Sequence, residues 1–159
     1  MRTILLLFAL VVPPGVAAQP ACPTTASSNP ARFIPPVPHH AVLARGMFWY
    51  GSEGLFVPLN EDGRWHGLYR ADLKAYRNKL PLYRSGFDWQ REPKPPISVT
   101  AARLDSPAPI VMAEGGAGSY NEDSGSMIMT ALDFPAIGCW RITARYREEP
   151  PLTFVVSVP

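Results

Sequence analysis

The chain is 159 residues long, is 47% hydrophobic, and carries 15 Lys and Arg against 13 Asp and Glu. This length suits one domain with a single core, and the near balance of charge excludes a strongly basic nucleic-acid-binding protein. Only two cysteines are present, so their redox state depends on the compartment in which the chain folds.

The first residues have the composition of a secretory signal peptide. Arg2 gives a basic start, residues 4–12 form an unbroken apolar run, and residues 16–18 suit cleavage. We therefore predict a signal peptide over residues 1–18, a mature chain that begins at Gln19, and an extracytoplasmic location, either periplasmic or secreted. The apolar run is less than half of the about 20 residues that cross a bilayer, so no transmembrane segment is predicted in the mature chain.

Cys22 and Cys139 are predicted to form a disulfide, because thiols oxidise outside the cytoplasm. A lipid anchor on Cys22 is the alternative, but residues 19–21 lack the leucine and the small residue usual before such a cysteine. The disulfide would close a long loop and contribute on the order of 4 kcal/mol in the chain-entropy model.

Residues 19–38 are predicted to form an extended arm, because proline neither continues a helix nor fits a central strand. The prolines of this segment are Pro20, Pro23, Pro30, Pro35, Pro36 and Pro38. Residues 39–159 are predicted to form one folded β-sandwich domain without internal repeats.

Alternation of apolar and polar residues predicts strands in the second half of the chain. Residues 139–146 and 152–158 predict a hairpin with a proline-bearing turn, and residues 126–134 add a third strand of one meander. Residues 97–105 form a fourth strand, whose shift of phase at Arg103 indicates a bulge or the strand end.

Two short β-prone runs within residues 48–57 and one helical pattern complete the domain. Leu73, Tyr76 and Leu80 fall at i, i+3 and i+7, which predicts a short helix over residues 71–80. Many strands and one helix favour an all-β fold, a single immunoglobulin-like antiparallel β-sandwich with one short helix.

The chain contains the runs Phe48–Gly51, Trp89–Pro95, Thr100–Asp105, Pro107–Pro109 and Gly138–Thr143. These runs resemble a group of uncharacterised exported bacterial β-sandwich proteins with a closing Gly-Cys-Trp-x-Ile-Thr hairpin, and the resemblance covers most of the mature chain. The closing hairpin is also similar to the last two strands of bacterial immunoglobulin-like domains. The resemblance implies an exported sandwich and carries no activity.

Charge is divided along the chain. Residues 64–94 carry eight basic residues, whereas residues 105–133 carry five acids and no base. Either the two segments lie near each other in the fold or they are solvated faces. A sharper alternative is that the basic segment binds an anionic polymer of the cell envelope.

Aromatic residues concentrate between residues 48 and 89, which hold ten of the 16 in the mature chain. Core packing explains such an enrichment. A sugar-binding surface, in which rings stack on pyranose C–H bonds and polar groups bind the hydroxyls, is the alternative. The candidate ligand-binding residues are Trp65, Tyr83, Arg84, Asp88 and Trp89.

A copper site is an alternative for two methionines and three histidines, because Met127 and Met129 share one strand face and supply thioethers, while His39, His40 and His66 supply imidazoles. The spacing is weak evidence, since methionine pairs on strands typically serve packing. We therefore expect no metal site.

Calcium binding is not expected either, because the turns at residues 60–63 and 121–125 lack the loop spacing of calcium sites.

Catalysis is not expected, because the chain has no nucleophile elbow and no spare cysteine. We therefore expect no enzyme, no catalytic residue and no cofactor.

Together these features predict an exported, non-catalytic β-sandwich that serves as a structural or protein-interaction module of the cell envelope. Its expected partner is an envelope or extracellular protein, with no nucleic-acid partner. The alternative function is a glycan- or polymer-binding module that uses the aromatic-rich segment 48–89.

Overall fold

The computed structural model describes residues 21–26, 33–36, 43–113 and 115–159, and within them the chain forms ten β-strands and no helix. The strands are β1 (Met47–Ser52), β2 (Leu55–Asn60), β3 (Leu68–Arg70), β4 (Ala75–Leu82), β5 (Ile97–Arg103), β6 (Val111–Met112), β7 (Ala117–Asn121), β8 (Gly125–Phe134), β9 (Gly138–Tyr146) and β10 (Leu152–Val158). The predicted all-β class is confirmed.

The strands form two four-stranded antiparallel sheets and one hairpin. The first sheet has the order β10-β9-β5-β6, and the second has the order β3-β4-β8-β7. The hairpin consists of β1 and β2, with Trp49 opposite Pro58 in register. Strand β5 ends at Arg103, where the sequence shifts its phase.

The hairpin is attached to the second sheet just beyond the end of β4. The Phe56 N–H donates to the Tyr83 carbonyl at 2.8 Å, and the Tyr83 N–H donates to the Phe56 carbonyl at 2.9 Å. Strand β3 pairs only with Ala75–Arg77 at the start of β4. On this edge of β4, residues 78–82 therefore face no paired strand within the described residues.

Both four-stranded sheets contribute to one apolar core. Leu80 and Leu132 of the second sheet belong to the same buried cluster as Ile142 and Phe154 of the first. Strand β10 contributes side chains to this core from one face, since every second residue of the strand is buried. The hairpin adds Phe48, Leu55, Val57 and Leu59 to this cluster.

The predicted helix over residues 71–80 is wrong. Its first four residues form a turn, and the rest belongs to β4. Lys74 has a φ of 49°, a left-handed conformation that interrupts a helix, and Leu73 is 44% exposed. Strand β4 instead buries Leu80 and Leu82, two residues apart, on one face.

The predicted meander of β8, β9 and β10 is also wrong. Strand β9 pairs with β10 as predicted, but its other neighbour is β5, whereas β8 pairs with β4 and β7. The turn after Phe134 carries the chain from one sheet to the other, and Phe134 and Trp140 then meet in the core with ring centroids 5.1 Å apart. Two sheets that each bury one face can share this core, whereas one continuous sheet would leave that face uncovered.

The predicted disulfide is confirmed. Cys22 and Cys139 are bonded, with Cα atoms 5.4 Å apart across 117 residues of sequence. Next to it, the Thr25 N–H donates to the Val155 carbonyl at 2.9 Å, and the Val155 N–H donates to Thr25 Oγ1 at 2.8 Å. The beginning of the predicted arm therefore covers the outer edge of β10, which would otherwise expose unpaired backbone groups.

The predicted signal peptide, residues 1–18, lies outside the described residues, and so do residues 27–32 and 37–42 of the arm and its junction. Among the residues that the structure describes, no helix has the length and apolar character needed to cross a membrane.

Candidate functional site

An open groove of about 530 Å³ lies on the face of the second sheet that is turned away from the core. In β8, Ile128 and Leu132 belong to the core, so Met127 and Met129 lie on the opposite face. Pro81 of β4 is the register partner of Met129 and therefore shares that face. We call this cavity the outer-face groove.

The hairpin extends the same face. Trp49 and Pro58 are cross-strand partners, and the Phe56–Tyr83 bridge joins their hairpin to β4. The floor of the outer-face groove is therefore built by three separate segments of the chain. It consists of Met47, Trp49, Pro58, Pro81, Tyr83, Met127 and Met129.

Three residues of the floor, Trp49, Tyr83 and Met127, form a second buried apolar cluster together with Phe56. Trp49 meets Tyr83 edge to face, with ring centroids 5.1 Å apart, and Phe33 of the arm contacts Phe56 with ring centroids 5.2 Å apart. Such aromatic contacts stabilise a fold beyond the burial of apolar area alone, and they hold the floor of the groove in one arrangement.

The rim of the groove is the turn between β7 and β8. The Asn121 side-chain oxygen accepts hydrogen bonds from the Asp123 N–H at 2.9 Å and the Ser124 N–H at 3.2 Å. The Tyr83 hydroxyl donates to Ser124 Oγ at 3.1 Å, which ties the rim to the floor. Tyr120 is 56% exposed beside this turn, and the Asp123 carboxylate is exposed to solvent.

Tyr83 is the titratable residue of the groove floor. Burial raises the pKa of the Tyr83 phenol, and a hydrogen bond with Ser124 opposes this only in part, so the phenol is neutral near neutral pH. Its hydroxyl also lies 3.7 Å from Met127 Sδ. Within the described residues, no group of three or more His, Cys, Asp or Glu side chains is placed to hold a metal ion.

Two of the sequence-predicted ligand residues lie at or beside the groove. Tyr83 lines its floor. Trp89 is 36% exposed, and its ring centroid is 6.5 Å from that of the rim residue Tyr120. Asp88 accepts a hydrogen bond from the Gln90 N–H within its own turn.

The other two lie elsewhere. Trp65 lines a separate notch together with His66. Arg84 lies over the Tyr146 ring, 5.1 Å from its centroid, and 3.8 Å from the Glu149 carboxylate. The structure thus does not bring the five candidates together in one site, and their role as ligand residues stays a prediction.

Most rings of the aromatic-rich segment serve packing. Five are buried, namely Phe48, Trp49, Phe56, Tyr83 and Phe87. Three more, Tyr50, Trp65 and Tyr76, are partly buried against the core. Tyr69 and Trp89 are the exposed rings of this segment.

Sequence reasoning placed Met127 and Met129 on one face, as the register of β8 shows, but it missed their partners Met47, Trp49 and Pro58. Their proximity depends on the long-range bridge between β2 and the end of β4, for which no local pattern gives a signal. Of the histidines weighed with them, His66 lines the separate notch, whereas residues 39 and 40 lie outside the described residues.

No protein-family model, curated protein or solved structure matches this chain.

Proposed function

We propose that this protein is an extracytoplasmic, non-catalytic binding module of the immunoglobulin-like β-sandwich type, which holds an extended segment of a partner protein in the outer-face groove. Two antiparallel sheets that share one core support the sandwich assignment. The intramolecular disulfide and the signal-like composition of residues 1–18 support a location where thiols oxidise.

The single observation that carries the binding function is a second apolar surface outside the core. Grooves of several hundred Å³ are the usual size of ligand sites, and the apolar side chains of Met47, Pro58, Pro81 and Met129 are partly exposed along this one. Methionine thioethers adapt their shape to different side chains. Tyr120 at the rim remains exposed and offers a ring for stacking.

The chemistry of the groove points to one kind of partner segment. Its floor of thioether, indole and proline side chains suits apolar residues of an extended chain, a mode in which aromatic-lined grooves bind polypeptide. The exposed carboxylate of Asp123 at the rim suits a lysine or arginine next to that apolar stretch. The proposed ligand is therefore an extended apolar segment flanked by a basic residue.

The test is a titration of the oxidised protein with a short, terminally blocked peptide of proline, leucine and valine that carries one lysine at its end. Methyl NMR signals of Met47, Met127 and Met129 should shift on binding. Tyr120→Ser and Met129→Lys should weaken binding by about tenfold, whereas Ile137→Lys should not.

Ile137 is a suitable control because it is 52% exposed in the turn between β8 and β9, outside the groove. The Tyr120→Ser variant guards against misfolding, since this side chain is exposed rather than packed. Shifts spread evenly over the surface, or equal weakening by the Ile137 control, would contradict the proposed site.

A further inference from the structure

A second cavity, of about 400 Å³, lies where β4 has no paired strand on one edge. Strand β3 ends its pairing at Arg77, and β2 joins only at Tyr83. The cavity opens beside the uncovered stretch between them, and we call it the β4 notch. It is lined by Trp65, His66, Leu68, Arg70, Arg77, Asn78 and Lys79.

Asn78 is the unusual member of this lining. The residue is only 3% exposed, yet its Nδ2 has no hydrogen-bond partner among the described residues. A buried amide without a partner is costly, and such a group calls for an explanation. Gly67 lies directly against it, because a Cβ there would come within 2.4 Å of Nδ2.

Two of the three basic side chains in the notch are paired with a carboxylate, and the third is not. Arg70 forms a two-point ion pair with Asp72, and Arg77 forms one with Asp133. Lys79 is exposed and makes no ion pair with any residue that the structure describes. Among the described residues, these three cations face two carboxylates, and Lys79 is the base left without a carboxylate partner, which suits a single anionic group.

An apolar platform accompanies this charge. The indole of Trp65 is held edge to face against Phe134 and Phe154, with ring centroids 6.0 and 6.2 Å away. Leu68 extends the platform and is 79% exposed. A fixed ring beside hydrogen-bond donors and cations is the combination that binds the C–H face of a sugar and its polar substituents together.

We propose that the β4 notch binds an acidic sugar unit of a polysaccharide, with the pyranose face on Trp65 and the carboxylate at Lys79. Arg70 keeps its Asp72 pair through Nε and one Nη, and its remaining Nη donates to the sugar. Asn78 supplies the amide donor of the inner wall. This site is independent of the outer-face groove, so either proposal can fail without the other.

An acidic sugar fits better than an acidic peptide for a physical reason. A peptide carboxylate would use only the basic side chains, which are common on this chain. The notch also offers the aromatic face of Trp65 and the unpaired amide of Asn78 beside the charge of Lys79. A ligand that uses all three groups carries an anion and hydroxyls on one flat apolar ring.

The experiment is a calorimetric titration of the oxidised full-length mature protein with oligogalacturonate, a neutral oligosaccharide of equal length, and a glutamate peptide of equal charge. Oligogalacturonate should bind, and both controls should bind at least about tenfold more weakly. Lys79→Gln should weaken oligogalacturonate binding by about tenfold, the expected effect of one charge-assisted hydrogen bond.

Lys94→Gln is the matched control, since Lys94 is an exposed base of the same basic segment outside the notch. It should leave the affinity unchanged, as should Tyr120→Ser in the outer-face groove. Equal binding of the glutamate peptide, equal binding of the neutral oligosaccharide, equal weakening by Lys94→Gln, or no binding of oligogalacturonate would each overturn the proposal.

Discussion

The carboxylate of Glu92 connects the loop before β5 to the end of β9 and the turn that follows it. Its two oxygens accept hydrogen bonds from the Tyr146 hydroxyl and from Arg147, and both Arg84 and Arg147 lie over the Tyr146 ring. Burial pushes the pKa of Glu92 upward, but the hydrogen bonds from Tyr146 and Arg147 outweigh it and hold the pKa below its usual range.

A depressed carboxyl pKa gives stability that is present above the unfolded-state pKa and is lost as pH falls through the folded-state pKa. Glu92→Gln should therefore lower the free energy of unfolding at about pH 7, and the difference from wild type should shrink toward about pH 3. Urea unfolding at both pH values measures this. Glu148→Gln, in the exposed turn that follows, should show neither effect, and a pH-independent deficit for Glu92→Gln would contradict the account.

Lys74 and Arg147 are the two non-glycine residues with left-handed backbone conformations in the part of the chain that the structure describes, and they are expected to respond differently to substitution by glycine. Lys74 has φ of 49° and Arg147 has φ of 50°. Lys74→Gly should raise the free energy of unfolding by about 0.5–1 kcal/mol, because glycine relieves the left-handed strain. Arg147→Gly should bring no such gain, since it also removes the contacts with Glu92 and Tyr146. A loss of stability in Lys74→Gly, measured by urea unfolding, would contradict this.

At the scale of elements, alternation along the sequence correctly predicted β5, β8, β9 and β10, and short β-prone runs predicted β1 and β2, whereas β3, β6 and β7 were not predicted. The alternation of apolar and polar residues predicts the hairpin of β9 and β10 and the position of β8, and its change of phase at Arg103 predicts the end of β5. The same reasoning failed at β4, because Leu73, Tyr76 and Leu80 match a helical spacing by chance. The left-handed conformation of Lys74, inside the predicted span, interrupts that helix.

The pairing of the strands could not be predicted from alternation, and neither could the surfaces that this pairing creates. Strand β8 has the pattern of a half-buried strand whether it pairs with β9 or with β4. The outer-face groove depends on that choice, because it unites Met127 with Trp49 and Tyr83. The disulfide could be predicted because the chain has two cysteines, which leave one pairing, and because its first residues led us to expect an oxidising compartment.

The arm and the loop before β3 each protect one part of the edge of β10, and hydrogen exchange should separate them. The Val155 N–H donates to Thr25 Oγ1, whereas the Ser157 N–H donates to the Gly63 carbonyl at 2.8 Å. Thr25→Val should speed exchange at Val155 and leave Ser157 unchanged. Equal exchange rates in the variant and wild type at Val155 would show that the arm does not cover this edge.

At the scale of the whole molecule, the disulfide joins residues 117 apart. Closing so long a loop stabilises the folded chain by about 4–5 kcal/mol in the chain-entropy model. The double variant Cys22→Ala and Cys139→Ala should therefore melt about 10 °C or more below wild type. The same variant should match reduced wild type, and an unchanged melting temperature on reduction would contradict a structural role for the bond.

The uneven charge along the chain is partly resolved by the fold. Pairing of β4 with β8 places Arg77 of the basic segment against Asp133 of the acidic segment, with Nε and Oδ1 2.7 Å apart. Other charges of both segments remain on the surface, with Asp123 at the rim of the groove and Lys79 at the notch. This separation gives the two proposed sites opposite charge preferences.

The central claim is that the outer-face groove binds an extended apolar segment with a basic flank, and a charge exchange tests it most directly. The affinities of the lysine-bearing peptide and of the same peptide with glutamate are measured for wild type and for Asp123→Lys. Wild type should prefer the lysine peptide, and Asp123→Lys should prefer the glutamate peptide, each by several-fold. The same preference in both proteins, or no binding of either peptide, would contradict the account.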